Sequence, residues 1–472
     1  MLLLALVLVP AVGAAGAYAG ASRRGVWLLT VAAIHLALVV TAWRMAPATA
    51  LDDWLGLDPL GLVVLAVVSG LFATIAVYAV GYLGLERVGR GFESWMLAFL
   101  ATASLVAVSH HFALLWVGME GTTLALAPLV YQRRDRRSLE AVWKYLVLCS
   151  VGIALALLGT FFLSTAQGDV GPTVRPLVLE DLLAGAATLS PAWLKAAFVF
   201  LLVGYGTKLG LAPLHTWKPD TYGEAPALVG GLMAGGLTSC AFLGIARITQ
   251  VAVAAGLGAF VRPPLVILGL CSLAVAAVFV VGQSDVKRLL AYSSVEHVGL
   301  LVLGLGLGGV GVYGSVLHLV NNAVVKGLLF LAVGNALLAV GPAARGVLRA
   351  MPLSGVLLLV GLFAVTGSPP FGTFLSEFTI VRAAWTGGHP WIAAATLAML
   401  AVIFVGMASV LLRLVYGTPA PRAAGTIAAE SGWLVTGPVV LALGSLLLGL
   451  ALPGPLQRLL VQAATALGGI GP

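Results

Sequence analysis

The stretch "TKLGLAPLHTWKPDTYGEAP" (residues 207–226) decides the fold of this chain. It places Lys208 and Pro213 inside a run of apolar residues that begins after Lys195. If that run crosses a membrane, the buried charge costs at least about 2.5–3.5 kcal/mol, and the proline kinks or breaks the helix. Irregular backbone at membrane depth is tolerated only where it is buried in protein or lines a wet cavity. The stretch therefore predicts a broken membrane helix that holds a titratable group beside water.

The composition of the whole chain is that of an integral membrane protein. Its 472 residues are 61% hydrophobic and 9% charged, and its mean hydropathy is +1.09, whereas soluble domains are about one-quarter charged. Apolar runs of the roughly 20 residues that a membrane helix needs recur from Met1 to about Leu452, with short polar breaks. We therefore expect no soluble domain. The net charge of +8 is typical of cytoplasmic loops and not of a nucleic-acid surface.

The alternation of apolar runs and polar breaks predicts about fourteen transmembrane helices in an all-α polytopic membrane protein. The first run lacks the basic start of a cleaved signal peptide, so we interpret it as the first span. The predicted spans lie near residues 1–20, 26–43, 60–83, 93–109, 111–130, 141–163, 193–214, 225–250, 264–282, 290–309, 312–338, 352–383, 390–415 and 433–452.

Lysine and arginine are unevenly distributed over the loops between these spans. One set of alternate loops holds Arg23, Arg24, Arg87, Arg90, Arg133, Arg134, Arg136, Arg137, Lys218, Lys287, Arg288, Arg345, Arg349 and Arg422, and the opposite loops and tail hold only Arg44, Arg175, Arg262 and Arg458. Cytoplasmic loops carry the excess of positive charge. The sequence thus predicts a multi-pass protein of the bacterial inner (plasma) membrane with both termini on the outer (periplasmic) side.

A second interrupted helix is predicted in "AVTGSPPFGTFLSEFTIVRAAW" (residues 364–385). There Pro369 and Pro370 interrupt the apolar run, and Glu377 follows them. Helices interrupted at corresponding places in two halves indicate inverted repeats with ion sites near the midplane. We predict four segments: helices 1–3 in residues 1–90, a first repeat of helices 4–8 in 91–255, a second repeat of helices 9–13 in 262–416, and helix 14 with a tail in 417–472.

Each predicted repeat carries two charged residues at a similar spacing. Glu120 precedes Lys208 by 88 residues, and Glu296 precedes Glu377 by 81. Glu120 lies about ten residues from either end of its span, so its carboxylate cannot easily reach water. The structural alternative is that neighbouring threonine hydroxyl groups satisfy it. Otherwise a charged group at this depth indicates function.

Further polar residues lie within the predicted helices between these charges. His318 and Lys326 are about two turns apart on one helical face, with Asn322 between them, and His297 lies on the preceding helix. Such a row of groups, linked through water, is what a proton relay requires. The alternative is that the histidines are neutral and only pack helices together by hydrogen bonds. Lys144, one helix after the first glutamate, is a further candidate.

Four motifs together resemble the antiporter-like membrane subunits of respiratory complex I, multisubunit cation/proton antiporters and membrane-bound hydrogenases. They are "TKLGLAPLHTWKPDTYGEAP", "QSDVKRLLAYSSVEHVGLL", "HLVNNAVVKGLLFL" and "GSPPFGTFLSEF", and they agree with the family in order and spacing. The resemblance covers roughly residues 60–420. The segments "HTWKPDTYGEAP" and "SSVEHVG" are most similar to the F subunit of hydrogenase-4-type complexes.

This resemblance implies fourteen helices with two inverted five-helix repeats, each containing a broken helix. It matches Glu120 to the family's glutamate of the fifth helix and Lys208 to its lysine of the broken seventh helix. Glu377 matches the terminal acidic residue of the broken twelfth helix. The remaining candidates match positions of the family's central polar axis: His297, His318 and Lys326.

One departure from the family pattern concerns the eighth helix. The family commonly carries a lysine there, whereas the matching region "GGLTSCAFLGIARI" has no charge near Ser239. Either water held by Thr238 and Ser239 bridges the gap, or the relay between the halves is weakened.

The resemblance and the buried charges predict a proton-translocating, redox-inactive subunit of a complex-I-like or membrane-bound hydrogenase complex. Lys208 holds a proton while Glu120 faces it, since an opposite charge favours the ammonium form. When Glu120 is drawn toward Lys144 or a neighbouring subunit, the proton passes through the Ser239 region to the polar axis and leaves beyond Glu377.

Other functions remain open at this point. The same relay serves sodium/proton antiport or a proton-driven inorganic-carbon uptake complex, and a catalytic quinone-enzyme subunit or a structural scaffold are further alternatives. We expect no cofactor or metal in this chain, because its three cysteines occur singly and no haem-ligand pair or nucleotide-binding glycine motif is present. The expected partners are other membrane subunits, a peripheral redox or uptake module, the lipid bilayer, and protons or sodium.

Overall fold

The computed structural model describes residues 1–20, 25–46, 49–86, 88–89, 91–168, 175–341, 344–418 and 430–471. The helices in this part of the chain are α1 (Leu2–Tyr18), α2 (Val26–Met45), α3 (Pro59–Leu85), α4 (Phe92–Val108), α5 (Phe112–Val130), α6 (Arg136–Gln167), α7 (Leu179–Ala184), α8 (Pro191–Leu209), α9 (Trp217–Glu224), α10 (Ala227–Gly231), α11 (Thr238–Ala254), α12 (Gly258–Val280), α13 (Val286–Leu307), α14 (Val310–Val340), α15 (Val347–Ala350), α16 (Pro352–Val365), α17 (Gly372–Thr386), α18 (Pro390–Tyr416), α19 (Gly432–Leu450) and α20 (Gly454–Ala466).

The predicted all-α polytopic membrane class is confirmed. Within the described residues, 11 helices are long and apolar enough to cross a membrane. Three shorter apolar helices, α1, α4 and α16, fill the remaining places of the fourteen predicted spans. The other short helices α7 and α15 lie in connections, and α20 follows the last span.

Two groups of five spans have the same order of elements. The first consists of α4, α5, α6, the interrupted pair α8 and α9, and the continuous helix formed by α10, a π-helical turn at Leu232–Leu237 and α11. The second consists of α12, α13, α14, the interrupted pair α16 and α17, and α18. Because five is an odd number, corresponding helices in the two groups run in opposite directions. The exact limits of the four predicted segments stay a prediction.

The break between α8 and α9 lies where the proline-containing sequence predicts it. Gly210 ends α8 in a left-handed conformation with φ of 78°, which glycine adopts without the steric penalty of a side chain. Its N–H donates to the carbonyl of Gly206 at 2.8 Å. Pro213 follows in the connection, and α9 begins at Trp217. The titratable group at Lys208 therefore lies in the last turn of α8, directly before the break.

The centre of the molecule is the long helix α14. It packs against α13, α16, α17 and α19, and also against α10 of the first group and α3 of the N-terminal helices. Most of its residues are buried, and they include six polar side chains: Ser315, His318, Asn321, Asn322, Lys326 and Asn335. A polar row on the most central helix is therefore shielded from lipid by helices of both groups.

The C-terminal tail contains a helix that the sequence analysis does not predict. Helix α20 packs against α3 and α14, and the side-chain amide of Gln250 donates to the carbonyl of Ala466 at 2.9 Å. The 13 residues of α20 include both apolar and polar types. The helix is therefore too short and too polar to span a membrane.

One of the loop assignments used for the predicted topology is wrong. Lys218 is only 1% exposed, because α9 packs back among α6 and α13 and does not form a surface loop. Asp285 caps α13, as its place at a helix start suggests, by accepting from the N–H groups of Lys287 and Arg288 at 2.8 and 3.1 Å. The predicted loop arginines Arg23, Arg24, Arg87, Arg90 and Arg422 lie outside the described residues, and the orientation of the termini stays a prediction.

Candidate functional site

The first predicted charge pair is bridged by a hydroxyl group. Lys208, 1% exposed, donates from Nζ to Thr123 Oγ1 and to Tyr145 Oη at 3.3 Å. Thr123 Oγ1 in turn donates to Glu120 Oε2 at 3.2 Å. Thr122 instead donates to the backbone carbonyl of Met119 at 2.6 Å. The structure thus brings Glu120 and Lys208 together through Thr123 and not by direct contact.

Lys144 contacts two acidic groups other than Glu120. Its Nζ is 2.7 Å from Glu140 Oε1 and 2.7 Å from Asp220 Oδ2, and its side chain is 42% exposed. Asp220 also accepts from Arg288 at 2.6 Å. These contacts tie α6, α9 and α13 together. A transient role of Lys144 as a partner for Glu120 stays a prediction.

The second group contains the same type of bridge. Lys326 is fully buried, and its Nζ donates to Ser293 Oγ at 2.6 Å. Ser293 Oγ donates to Glu296 Oε2 at 3.2 Å, and Glu296 is 2% exposed. Each half therefore holds a lysine, a hydroxyl group and a glutamate in sequence. A hydroxyl group both accepts and donates a hydrogen bond, so it can pass a proton between the two charged groups.

The two predicted histidines are in direct contact. His297 Nδ1 and His318 Nε2 lie 2.9 Å apart, with one donating to the other, and His318 Nδ1 lies 2.9 Å from Ser376 Oγ. The carboxylate of Glu377 has an oxygen within 4.8 Å of ligand atoms of both histidines. The structure thus brings His297, His318 and Glu377 into one buried cluster beside Ser376.

The break in the twelfth span makes room for this cluster. Gly367 has φ of 63°, and a Cβ atom there would overlap the carboxylate of Glu377. The connection that contains Pro369 and Pro370 therefore closes over the glutamate, and a larger side chain at position 367 would displace it. The interrupted helix positions a carboxyl group in the protein interior.

The cluster has the geometry of a possible metal site as well as of a proton relay. Two imidazoles and a carboxylate are ligands that zinc accepts. However, His297 Nδ1 and His318 Nε2 already share a hydrogen bond, and imidazole can hold or move a proton at either nitrogen. We interpret the cluster as a proton-transfer group, and the absence of a metal stays a prediction.

The region of the missing charge lies at the contact between the two groups of helices. Ser239 donates to the carbonyl of Gly235 at 2.7 Å, and Thr238 donates to that of Met233 at 3.2 Å. The amide of Asn322 donates to the carbonyl of Ala234 at 3.2 Å. All three bonds involve the π-helical turn, where the backbone pattern is irregular. π-Helical turns are frequent at functional sites.

A second polar network was not anticipated from the sequence. Arg247, 1% exposed, donates to Asp58 Oδ1 at 2.9 Å, and Asp58 lies 3.6 Å from His110 Nε2. His110 Nδ1 is 3.6 Å from Glu180, which is 53% exposed. The network joins the start of α3 to α11 and to the connection before α5. Burial alone would raise the pKa of Asp58, but Arg247 and His110 lower it below its ordinary value.

Replacing Asp58 with asparagine is expected to destabilise the protein at neutral pH by about 3 kcal/mol, because the change leaves the buried guanidinium of Arg247 unpaired. The pKa of Asp58 is lower in the folded state, so its stabilising contribution is complete above the unfolded pKa of about 3.9 and is lost as pH falls below that value. Thermal unfolding of the solubilised wild type and Asp58→Asn at pH 7 and at pH 3–4 measures this difference in stability and its decrease at low pH. Asp52→Asn, on an exposed residue nearby, is the control.

Replacing Thr123 with valine tests the bridge in the first half. Valine has the same shape but no hydroxyl, so Lys208 loses its link to Glu120. Losing a hydrogen bond to a charged group costs about 1.5–3 kcal/mol, which corresponds to a reduction of about tenfold or more in proton flux. Thr123→Ser keeps the hydroxyl and should retain most of the flux. Equal proton flux in the valine variant and the wild type would contradict the bridge.

Known proteins share this fold and sequence pattern. The family described as NADH:quinone oxidoreductase/Mrp antiporter, TM matches residues 109–403. The chain is 33% identical over 346 residues to the hydrogenase-4 component F homolog of Methylacidiphilum infernorum, covering 70% of this chain and 72% of that protein. It is 30% identical over 455 residues to NADH-quinone oxidoreductase subunit N of Thiobacillus denitrificans, covering 93% and 90%. A chain of respiratory complex I from Thermus thermophilus has a TM-score of 0.76 and 26% identity, covering 96% and 99%.

Proposed function

We propose, from the premise that this chain belongs to the NADH:quinone oxidoreductase/Mrp antiporter transmembrane family, that it is a proton-translocating, redox-inactive membrane subunit of a complex-I-like or membrane-bound hydrogenase complex. The observation that carries this proposal is the repeated bridge of lysine, hydroxyl and glutamate, one in each half of the molecule. Buried charges are costly in a membrane protein, and two sets of the same chemical type, one in each group of helices with a broken helix, fit ion transport better than mechanical support.

The first half works as a site that holds and releases one proton. The carboxylate of Glu120 stabilises the ammonium group of Lys208 through Thr123. A movement of Glu120 away from Thr123 leaves the ammonium group buried without its counter-charge. Lys208 then releases its proton toward the centre of the molecule. Glu120 is only half-buried, so it is placed to respond to a neighbouring subunit.

The second half carries the proton onward. Lys326 receives it, and Ser293 links Lys326 to Glu296. The hydrogen-bonded pair of His297 and His318 adjoins Glu377, the last acidic group of the row. Because these groups lie close together, their protonation states are coupled and titrate as a set.

This chain is a polytopic membrane protein, and its similar chain in Thermus thermophilus is part of a multisubunit membrane complex. We infer that other membrane subunits bind it, that a peripheral redox module drives it, and that both termini face the outer side of a bacterial inner membrane. We further infer that the chain binds no cofactor. Sodium remains a weaker candidate for the transported ion, because sodium prefers oxygen ligands and the central cluster is rich in imidazole nitrogen.

Isolation of the native complex tests the assignment of the partners. The complex is solubilised in mild detergent, captured through this subunit and analysed by mass spectrometry. A nickel–iron hydrogenase-like or complex-I-like set of subunits would support the proposal. A single soluble zinc protein, or only subunits of a cation antiporter, would contradict it and would assign the same relay to carbon uptake or ion exchange.

A further inference from the structure

Lys218 is a buried lysine whose amino group has no hydrogen-bond partner among the described residues. It lies in α9, directly after the first helix break, and its side chain is 1% exposed. Its aliphatic stem packs against Gly210, where a Cβ atom would overlap it. The glycine that ends α8 thus creates the space for this side chain. None of the proton-transfer steps described above uses Lys218.

Aromatic side chains connect Lys218 to the buried lysine of the first half, Lys208. Lys208 Nζ is 5.3 Å from the ring centre of Tyr145, whose ring is 5.1 Å from that of Trp217. Lys218 Nζ lies 6.0 Å from the ring centre of Trp217 and 6.0 Å from that of Tyr222. The amino groups of Lys208 and Lys218 are therefore both close to one small aromatic group.

The other side of Lys218 faces the second half. The ring of Tyr222 contacts Phe330, one turn after Lys326 on α14, with ring centres 5.6 Å apart. The contacts between these side chains therefore run in the order Lys208, Lys218 and Lys326. This order crosses the contact between the two groups of helices, where the eighth helix carries no charge at Ser239.

Buried polar groups without protein partners cluster at this contact. Besides Lys218 Nζ, Nδ1 of His215 has no hydrogen-bond partner in the described part of the chain, and the hydroxyl of Tyr222 lies beside that of Thr238. Leaving such a group unsatisfied costs about 1–3 kcal/mol, and more for a charged group. Buried groups of this kind are ordinarily satisfied by internal water. Water between these groups would connect the three lysines.

We propose that Lys218 is a proton-carrying group that joins Lys208 to Lys326 and replaces the charge that is missing at Ser239. This inference rests on the proposed function. In the step, an N–H bond of the Lys208 ammonium group breaks and its proton moves through water to the neutral amine of Lys218, where a new N–H bond forms. The proton then moves in the same way to Lys326, so no oxidant or other reactant is needed.

The test measures redox-driven proton translocation by the native complex in liposomes. Lys218→Met keeps the length and apolar stem but removes the amine, and we expect translocation to fall about a hundredfold, as for loss of an essential proton-transfer group. The matched control is Lys287→Met. Lys287 is another buried lysine, 6% exposed, but it donates to the carbonyl of Ala225 at 3.1 Å, so translocation should persist.

A second variant separates proton transfer from a purely structural role. Lys218→Arg keeps a positive charge and the ability to donate hydrogen bonds, but arginine does not lose its proton in proteins. We expect an assembled complex that does not translocate protons. Normal translocation in Lys218→Arg or Lys218→Met would overturn the role of Lys218, even if Lys208→Met is inactive. Normal translocation in Lys208→Met as well would instead overturn the proposed function itself.

Discussion

Replacing Lys208 with methionine is expected to abolish proton translocation while the complex still assembles. Methionine fills nearly the same volume and is apolar, so the buried position between Thr123 and Tyr145 remains packed. The variant lacks the only amine in the first bridge, and no proton can be held there. The expected loss is about a hundredfold or more, measured as acidification of liposomes that contain the purified complex.

The control for this variant is on the same helix. Lys195 lies in the first turns of α8, near the helix start, and its Nζ is 5.4 Å from the ring centre of Phe260. Lys195→Met removes the same charge from the same helix but not from the protein interior. It should translocate protons normally. Loss of activity in both variants would indicate that α8 depends on its net charge and not on a proton held at Lys208.

Replacing Glu377 with glutamine is expected to have a comparable effect at the other end of the row. Glutamine occupies the same space under Gly367 and keeps one carbonyl oxygen, but it cannot accept and release a proton near neutral pH. The histidine pair would then have no acidic group to which it can pass the proton. We expect translocation to fall about a hundredfold, with electron transfer through the peripheral module slowed or uncoupled.

Glu377→Asp distinguishes proton transfer from packing at this position. Aspartate keeps the acid but shortens the side chain, so a role in proton transfer predicts partial activity in Glu377→Asp and none in Glu377→Gln. If packing under Gly367 were the main role, glutamine would be the better replacement. Whichever of the two variants retains more translocation activity therefore contradicts one of the two roles.

The sequence predicts those parts of the site that depend on strong local signals. Proline and glycine close together within apolar runs mark both helix breaks, because proline lacks a backbone donor and glycine can end a helix in a left-handed conformation. Lys208 and Glu120 are conspicuous because buried charge is rare in membrane helices. The spacing of His318 and Lys326 on one helix follows from helical geometry alone. Predicting these features does not require knowing which helices pack together.

The parts that the sequence does not reveal depend on packing between helices. Thr123 and Ser293 are ordinary hydroxyl residues, and only the approach of another helix makes them bridges between charges. Tyr145 contacts Lys208 from α6, a distance of 63 residues along the chain. The sequence does indicate a threonine hydroxyl beside Glu120, but nothing local marks the lysine contact that completes each bridge.

Lys218 illustrates a different limit. Its surroundings "HTWKPDTYGE" are polar and contain proline, and hydropathy alone cannot distinguish a loop at the membrane surface from a segment that folds back among helices. Helix α20 is not predicted for a related reason: a short helix of mixed composition has no apolar run that marks it in the sequence.

The central claim is that one proton path crosses both halves of the molecule. The most direct test is the number of protons moved per pair of electrons by the complex in liposomes, for Lys208→Met, Glu377→Gln and the double variant. One shared path predicts that each single variant lowers the ratio by the same amount and that the double variant lowers it no further. Single variants that each keep about half of the wild-type ratio, together with a double variant that loses both halves, would show two independent paths and would contradict the account.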